Sequence, residues 1–283
     1  EISARMAERF MEMGGHLMLN TRADQILVEN GRVKGVVTNR GETIATKYVY
    51  ANTLPHNVLG KMIYPQSEVP VKALKALNMR KTGTSFLSLY MGLNRSAEEL
   101  GLKDYMYYFA NTNDITKMYN SIDTLDPNDC FAGMCPNPVI PNASPEGTSI
   151  LHLETITRSD AWGALSDKEY FRKKHEVAGD LIDRASSALK FDIRRHIEEI
   201  EVAAPQTFAR YIGSHMGNVY GYDLRTFDSA VIKAMLKDKE RFIAGLSIVG
   251  NAGLLTAGFP SSMLSGRLAS IEQIEEHAAR REC

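Results

Sequence analysis

The sequence of 283 residues is poor in cysteine, with three, and in tryptophan, with one, and it carries almost no net charge, with 33 basic against 34 acidic side chains. Three cysteines cannot all pair with one another, and an oxidised secreted scaffold of this length usually carries more, so a reducing compartment, the cytoplasm, is the expectation. A net charge of −1 gives no basic footprint for nucleic acid and no acidic excess of the kind that keeps a chain disordered. Absent too are the phosphate-binding motifs GxGxxG and GxxxxGK, the zinc helix HExxH and the nucleophile elbow GxSxG. The histidines His16, His56, His152, His175, His196, His215 and His277 are scattered, with no two at ligand spacing near a carboxylate, so no metal site is expected. Cys130 and Cys135 stand at the wrong interval for a zinc or thioredoxin-like site and would face opposite sides of a strand, so both read as structural.

One stretch, 242–266, has no charge and is long enough to span a bilayer. Gly245, Gly250, Gly253, Gly258 and Gly266, with Asn251 and Pro260, break it into a buried strand, a loop and a helix start, so no transmembrane span is expected. The chain opens on Glu1 within a helical pattern of Ile2, Met6, Phe10 and Met13, without the charged and then apolar run of a signal peptide before it. It reads as cut from something longer.

At ~150 residues per domain the length suggests about two domains. After the first helix, Gly14 and Gly15 make a stop, and short β-like runs follow at 16–21, 23–29, 32–38 and 42–52, with glycine turns at Glu29–Arg32 and Asn39–Glu42. The pattern dissolves over 54–67, which reads as a crossing between domains. Beyond it KTGTSFLSLYMGL, MYYFAN, CFAGM and SILHLETIT read as strands, with Ser85 and Ser88 as ordinary strand residues. Ser166 with Glu169 is a capping box opening a long amphipathic helix whose apolar face is Phe171, Val177, Ala178, Leu181, Ile182, Ala185 and Leu189. Ile193, Ile197 and Ile200 keep helical spacing until a strand begins at Glu201 and stops at Pro205.

Near the C-terminus, RFIAGLSIVG reads as a buried strand feeding a glycine loop and a helix, with Ser261 or Ser262 at its N-cap and Leu264, Leu268 and Ile271 on its buried face. A helix N-terminus behind a glycine loop offers free N–H groups and the positive end of a dipole, which suits a phosphate or an electron-rich ring oxygen. Glycine turns before helices also arise for packing alone.

Taken in order, these segments resemble a known family. The run GGHLMLNTRADQILVENGRVKGVVTNRGETIATKYVYANTLP is similar to the mid-chain segment of flavin-dependent amine oxidase and phytoene desaturase-like proteins. Phe242-Ile243-Ala244-Gly245, Gly258-Phe259-Pro260 and Ser265-Gly266 resemble their last motif. CPNPVIPNASPEGTSILHLET, Ala204-Pro205-Gln206-Thr207 and Gly217-Asn218-Val219-Tyr220-Gly221 resemble the phytoene desaturase, carotenoid isomerase and retinol saturase branch.

The resemblance implies an α/β fold: a Rossmann-like FAD-binding domain lacking its N-terminal βαβ unit, formed by 1–62 and 201–283, with an α+β substrate domain, 63–200, inserted. It implies FAD as cofactor, with Ala23 offering backbone contacts to the adenine, Gly245 and Leu246 near the ribityl-phosphate chain, and Gly258, Phe259, Pro260, Ser261, Ser262 and Met263 bringing a helix N-terminus to the pyrimidine edge of the flavin. Tyr220 and Gly221 would line the substrate side of the ring. The implied activity is hydride transfer between the flavin and a long apolar, polyene-like substrate, with contact to a membrane surface following from that substrate class and no acid or base named. Relatives often carry a small or acidic residue after the Ala-Gly pair where this chain has Leu246-Ser247. Two other readings stay open: a flavin-fold fragment serving as an interaction module, and a flavoenzyme acting on an amine, although Trp162 lies far from the flavin motifs and no aromatic cage is evident.

Overall fold

The computed structural model describes residues 2–125, 129–223, 242–253 and 258–279. Part of the glycine loop, 254–257, lies outside them.

Helix α1 (Ile2–Glu12) buries none of its residues and stops at Gly14, whose φ is +86°. No strand forms over 16–21. Strand β1 (Ala23–Glu29) already has a neighbour on each side, so the preceding run finds no place beside it. β1 pairs with β2 (Arg32–Thr38) through Asn30 and Gly31, both at positive φ as a two-residue hairpin requires. β3 (Thr43–Ala45) completes the antiparallel meander, and β4 (Val49–Ala51) leaves it.

The segment after β4 is folded rather than patternless. α2 (Pro55–Asn57) runs into a π-helical turn at Val58–Met62, then β5 (Ile63–Tyr64) pairs in parallel with β1. The Glu68 carboxylate accepts from the backbone N–H groups of Asn30 at 3.2 Å and Gly31 at 2.7 Å, tying the segment to the β1–β2 turn. With α3 (Val71–Asn78) it closes an apolar cluster that includes Ile26, Val33, Val58, Ile63, Ala73 and Leu77.

At Thr84 the chain enters a five-stranded antiparallel sheet of order β10-β6-β9-β8-β7. Its strands are β6 (Thr84–Leu93), β7 (Met106–Ala110), β8 (Cys130–Met134), β9 (Ser149–Arg158) and β10 (Ile197–Ala203). Helices α4 (Ile115–Ser121), α5 (Ser159–Gly163) and α6 (Asp167–Leu189) come between them in sequence. Leu87, Leu89, Met91, Leu151 and Leu153 on one sheet face pack with Val177, Ala178, Leu181 and Ile182 of α6. Each aliphatic side chain buried this fully contributes roughly 1.5–3 kcal/mol.

The Ser166–Glu169 capping box opens α6. The aromatic on its buried face is Tyr170, set edge-on against Trp162, and not Phe171, which is 58% exposed. Tyr170 stands two turns before Val177, whereas its neighbour is swung about 100° around the helix. β10 begins at Ile197, not Glu201, because its pairing with β6 overrides the local helical spacing. Pro205 does not end structure but opens α7 (Pro205–Ile212), as the first helical residue whose N–H would have gone unused.

The chain returns along 217–223, laced to the outgoing crossing by Gly83 N–H on Gly221 O at 2.9 Å, Val219 N–H on Thr84 O at 3.0 Å and a Thr82–Tyr222 bridge. β11 (Leu246–Ile248) then pairs in parallel with β4. Helix α8 (Phe259–Ala279) begins before the expected cap, so Ser261 and Ser262 lie within its first turn. Leu264 and Ile271 are 41% and 40% exposed, and the buried residue is Ser265. The helix approaches the backbone at Gly253, where any Cβ would strike the Ser265 hydroxyl; only a small residue fits there, and the bulky ones rotate outward. Among the described residues no helix is long and apolar enough to cross a membrane.

Candidate cofactor and substrate cleft

Residues 242–249 join the meander to the parallel pair. Val33 N–H donates to Ala244 O at 3.0 Å, Ala244 N–H to Gly31 O at 2.8 Å, and Val49 N–H to Gly245 O at 2.8 Å. Gly245 has φ +82°, and a Cβ there would collide with the Lys47 carbonyl; Gly250, at φ +76°, would collide with the Asn52 side chain. Bare backbone is therefore required at both ends of β11. A cleft of about 160 Å³ opens between α3 and α8, with Leu77, Leu246, Ile248 and Leu268 in its wall. Another of about 380 Å³ is lined by Tyr48, Gly245, Leu246, Gln273 and Glu276. Gly245 and Leu246 thus front an open cleft.

Tyr220, Gly221 and Ser262 come together through a residue that the sequence reading treated only as a loop former, Asn251. Its Nδ2 donates to Val219 O at 2.8 Å, and its Oδ1 accepts from Ser262 Oγ at 2.7 Å, which clamps the returning loop to the first turn of α8. Asn218 Nδ2 adds a bond to Gly221 O. The only local signal was an asparagine in a glycine-rich loop after a buried strand. Tyr220 stands edge-on to Phe86, ring centroids 5.1 Å apart. Burial, and then the nearby Glu154 charge, push its phenol up.

The remaining expected residues are less gathered. Ala23 pairs with Thr38, at the opposite end of the β1–β2 hairpin from the Glu29–Arg32 pair beside which Ala244 docks. That separation is about 20 Å along a strand rising roughly 3.3 Å per residue, so Ala23 and Gly245 can share only an extended ligand. Phe259 is 82% exposed, Pro260 is exposed and Met263 is 38% exposed, while Gly258 turns the chain into α8 at φ +104°.

Two histidines that look unrelated in sequence meet beside the crossing strands. His56 and His215 stack with centroids 4.2 Å apart and planes within 5° of parallel. His56 Nδ1 lies 3.2 Å from the Tyr222 hydroxyl, and the Arg80 guanidinium sits 5.0 Å from the centre of the Tyr222 ring. Burial first, then His215 and Arg80, push the His56 imidazole down to about 4. Nearby, Arg158, 5% exposed, pairs with Asp223 at 2.6 Å and Asp160 at 3.1 Å and donates to Thr82 O at 3.4 Å, fastening β9 to both crossing strands.

No family model matches the chain. It is 26% identical to the chloroplastic prolycopene isomerase of Daucus carota over 97% of this chain and 44% of that one. It is 24% identical to a 4,4'-diapophytoene desaturase of Methylomonas sp over 99% of this chain and 53% of that one. With the all-trans-retinol 13,14-reductase of Danio rerio it shares 23% identity over 90% of this chain and 46% of that one. The chain therefore spans about half the length of the curated relatives it matches. Among solved structures, an oxidoreductase from Methanosarcina mazei superposes with TM-score 0.50 at 12% identity, covering 87% of this chain and 47% of that one. A putrescine oxidase redesigned in its cofactor binding gives TM-score 0.52 at 11% identity, covering 97% and 52%.

The likeness to these structures shows the fold, an α/β, Rossmann-like architecture. Over nearly its whole length the chain is similar in sequence to a carotenoid isomerase, a carotenoid desaturase and a retinol reductase.

Proposed function

We propose that the chain is the ring-side and substrate-side part of an FAD-dependent oxidoreductase that moves hydride between the flavin and a long apolar, polyene- or isoprenoid-like substrate. The observation that carries this reading is the parallel β4–β11 pair, entered through Gly245, whose bare backbone lines an open cleft beside the pair. Gly245 lines the cleft of about 380 Å³, and a glycine there offers a cofactor bare backbone with no side chain in the way. In this reading 1–62 and 201–283 belong to the flavin domain and 63–200 to the substrate domain.

Gly245 and Leu246 would hold the ribityl-phosphate chain, Ala23 the adenine end, and Gly258, Phe259, Pro260, Ser261, Ser262 and Met263 the pyrimidine edge, where the positive end of α8 favours negative charge. Tyr220 and Gly221 would face the substrate, their loop held by Asn251. Bound flavin supplies a two-electron hydride acceptor or donor. The protein's own share is to orient the substrate between the sheet and the returning loop and to keep water out with Phe86, Tyr220 and Phe208, whose rings meet edge-on. An apolar substrate has to be drawn from a lipid phase, so the reading includes peripheral contact with a membrane surface, which liposome flotation tests.

The deciding experiment is a visible absorption spectrum with and without added FAD, taken on this chain and on the same protein extended upstream to its natural start. A yellow extended protein supports the assignment. Two folded proteins that both stay colourless in excess FAD overturn it.

A further inference from the structure

On the sheet face turned away from α6, β6 and β9 set their side chains in rungs: Phe86 opposite Ile156, Ser88 opposite Glu154, and Tyr90 opposite His152. The middle rung is polar. Ser88, fully buried, donates its hydroxyl to Glu154 Oε2 at 3.0 Å. His152 lies flat on Tyr90, centroids 4.5 Å apart and planes 6° from parallel. Its Nε2 is 3.7 Å from Glu154 Oε2, too long for a hydrogen bond, and is buried without a hydrogen-bond partner. Tyr220 overlooks the same face from the returning loop, against Phe86 and within reach of the Glu154 charge.

A carboxyl and an imidazole on an apolar and aromatic face cost free energy that the core, on the other face, does not require. Burial raises the Glu154 carboxyl above its ordinary range, against the Ser88 bond that lowers it, and lowers the His152 imidazole. His152 therefore stays neutral and does not pin Glu154 as a carboxylate. Other titratable groups that the register sets on this face are Tyr90 on β6, Glu201 opposite it on β10, Cys130 one rung along on β8 and Tyr108 on β7, with Tyr220 on the loop above; the β8 residue directly opposite Glu154 is Ala132. The Glu154 side chain keeps 29% exposure, so it can reach both a ligand on the face and solvent.

We propose that Glu154 is a proton-accepting catalytic residue on this face of the sheet, with Ser88 and His152 as its positioning residues, acting on the carbon chain of an apolar substrate laid across it. The inference rests on the flavoenzyme reading. In the oxidising direction one substrate carbon loses hydride, with its electron pair, to the hydride acceptor. The neighbouring carbon gives its proton to a Glu154 carboxylate oxygen, and the electron pair of that C–H bond becomes the new carbon–carbon double bond. Glu154 then passes the proton to solvent.

Infrared difference titration reads the carboxyl without cofactor or substrate. A protonated carboxyl band persisting above the ordinary carboxylate range is expected in the wild type, absent in Glu154→Gln and moved to still higher pH in Ser88→Ala. In the flavin-loaded protein extended to its natural start, flavin reduction by phytoene in detergent micelles should rise with pH through the same midpoint. It should fall about a hundredfold or more in Glu154→Gln and recover in part in Glu154→Asp, with the flavin spectrum unchanged. If Glu154→Gln is reduced at the wild-type rate with the wild-type pH profile, Glu154 is not the proton acceptor and the flavoenzyme reading stands. If the wild type binds flavin but phytoene does not reduce it, hydride transfer from a polyene fails as a reading, and this assignment with it. Should Glu154→Gln not fold, Glu154→Asp carries the test, and an unmoved rate and midpoint there overturn the proposal.

Discussion

The hydroxyl of Ser262, in the first turn of α8, donates to the side chain of Asn251 at 2.7 Å, and through Asn251 the last helix grips the loop that carries Tyr220. Elements far apart in sequence are thereby fixed to one another.

Asn251→Ala removes both of these bonds and leaves a partly buried carbonyl and hydroxyl without that partner. A loss of about 1–3 kcal/mol is expected from the denaturant midpoint. FAD titration of the extended protein should show weaker binding, whereas Asn251→Asp, which keeps the acceptor for Ser262 but loses the donor to Val219, should fall between the two.

Gly245→Ala places a Cβ against the Lys47 carbonyl at a positive φ, while Gly41→Ala meets a positive φ with open space around it. Positive φ alone costs a non-glycine residue about 1–3 kcal/mol. Thermal unfolding should therefore show Gly245→Ala falling further in Tm than Gly41→Ala; equal Tm values would mean that the approach to Lys47 is not tight.

His56 should make the protein sensitive to mild acid. Its folded value, about 4, lies below the ordinary 6.5, so the folded state binds fewer protons than the unfolded one. Its contribution to stability is complete above 6.5 and is lost as pH falls towards about 4. Denaturant midpoints of the wild type and His56→Gln, compared across that window, should converge as the pH drops.

Arg158→Met takes from Asp223, itself 8% exposed along its side chain, its buried ion-pair partner at 2.6 Å. Breaking such a buried pair costs about 3–5 kcal/mol. The double variant Arg158→Met with Asp223→Leu should recover a large part of that loss in equilibrium unfolding. A double variant no more stable than the single one would show that Arg158 acts through Thr82 and Asp160 instead.

What the sequence made legible was local. Asn30-Gly31 announced a hairpin because both positions need positive φ, and Ser166 with Glu169 announced α6 because the box is closed within one helical turn. The buried face of α8 was misread because the approach of Gly253 to Ser265, and not apolar spacing, sets its rotation. The segment 54–67 looked patternless because its order comes from Glu68 reaching back to Asn30 and Gly31 and from β5 joining β1, neither visible in a window of neighbouring residues. Within the cleft the glycines were readable as glycines. The clamp that Asn251 makes between the returning loop and α8, and the meeting of His56 with His215, needed the chain to be folded first.

The parallel partner of β4 is β11, and the whole five-stranded sheet lies between them in the sequence. During synthesis β4 therefore leaves the ribosome with its edge unpaired and must wait until that sheet has been made before Leu246–Ile248 arrive to cover it. Long-range parallel pairing of this kind closes slowly, and an open strand edge is a site for pairing with another chain. The cleft beside Gly245 consequently cannot form before the five-stranded sheet has been made.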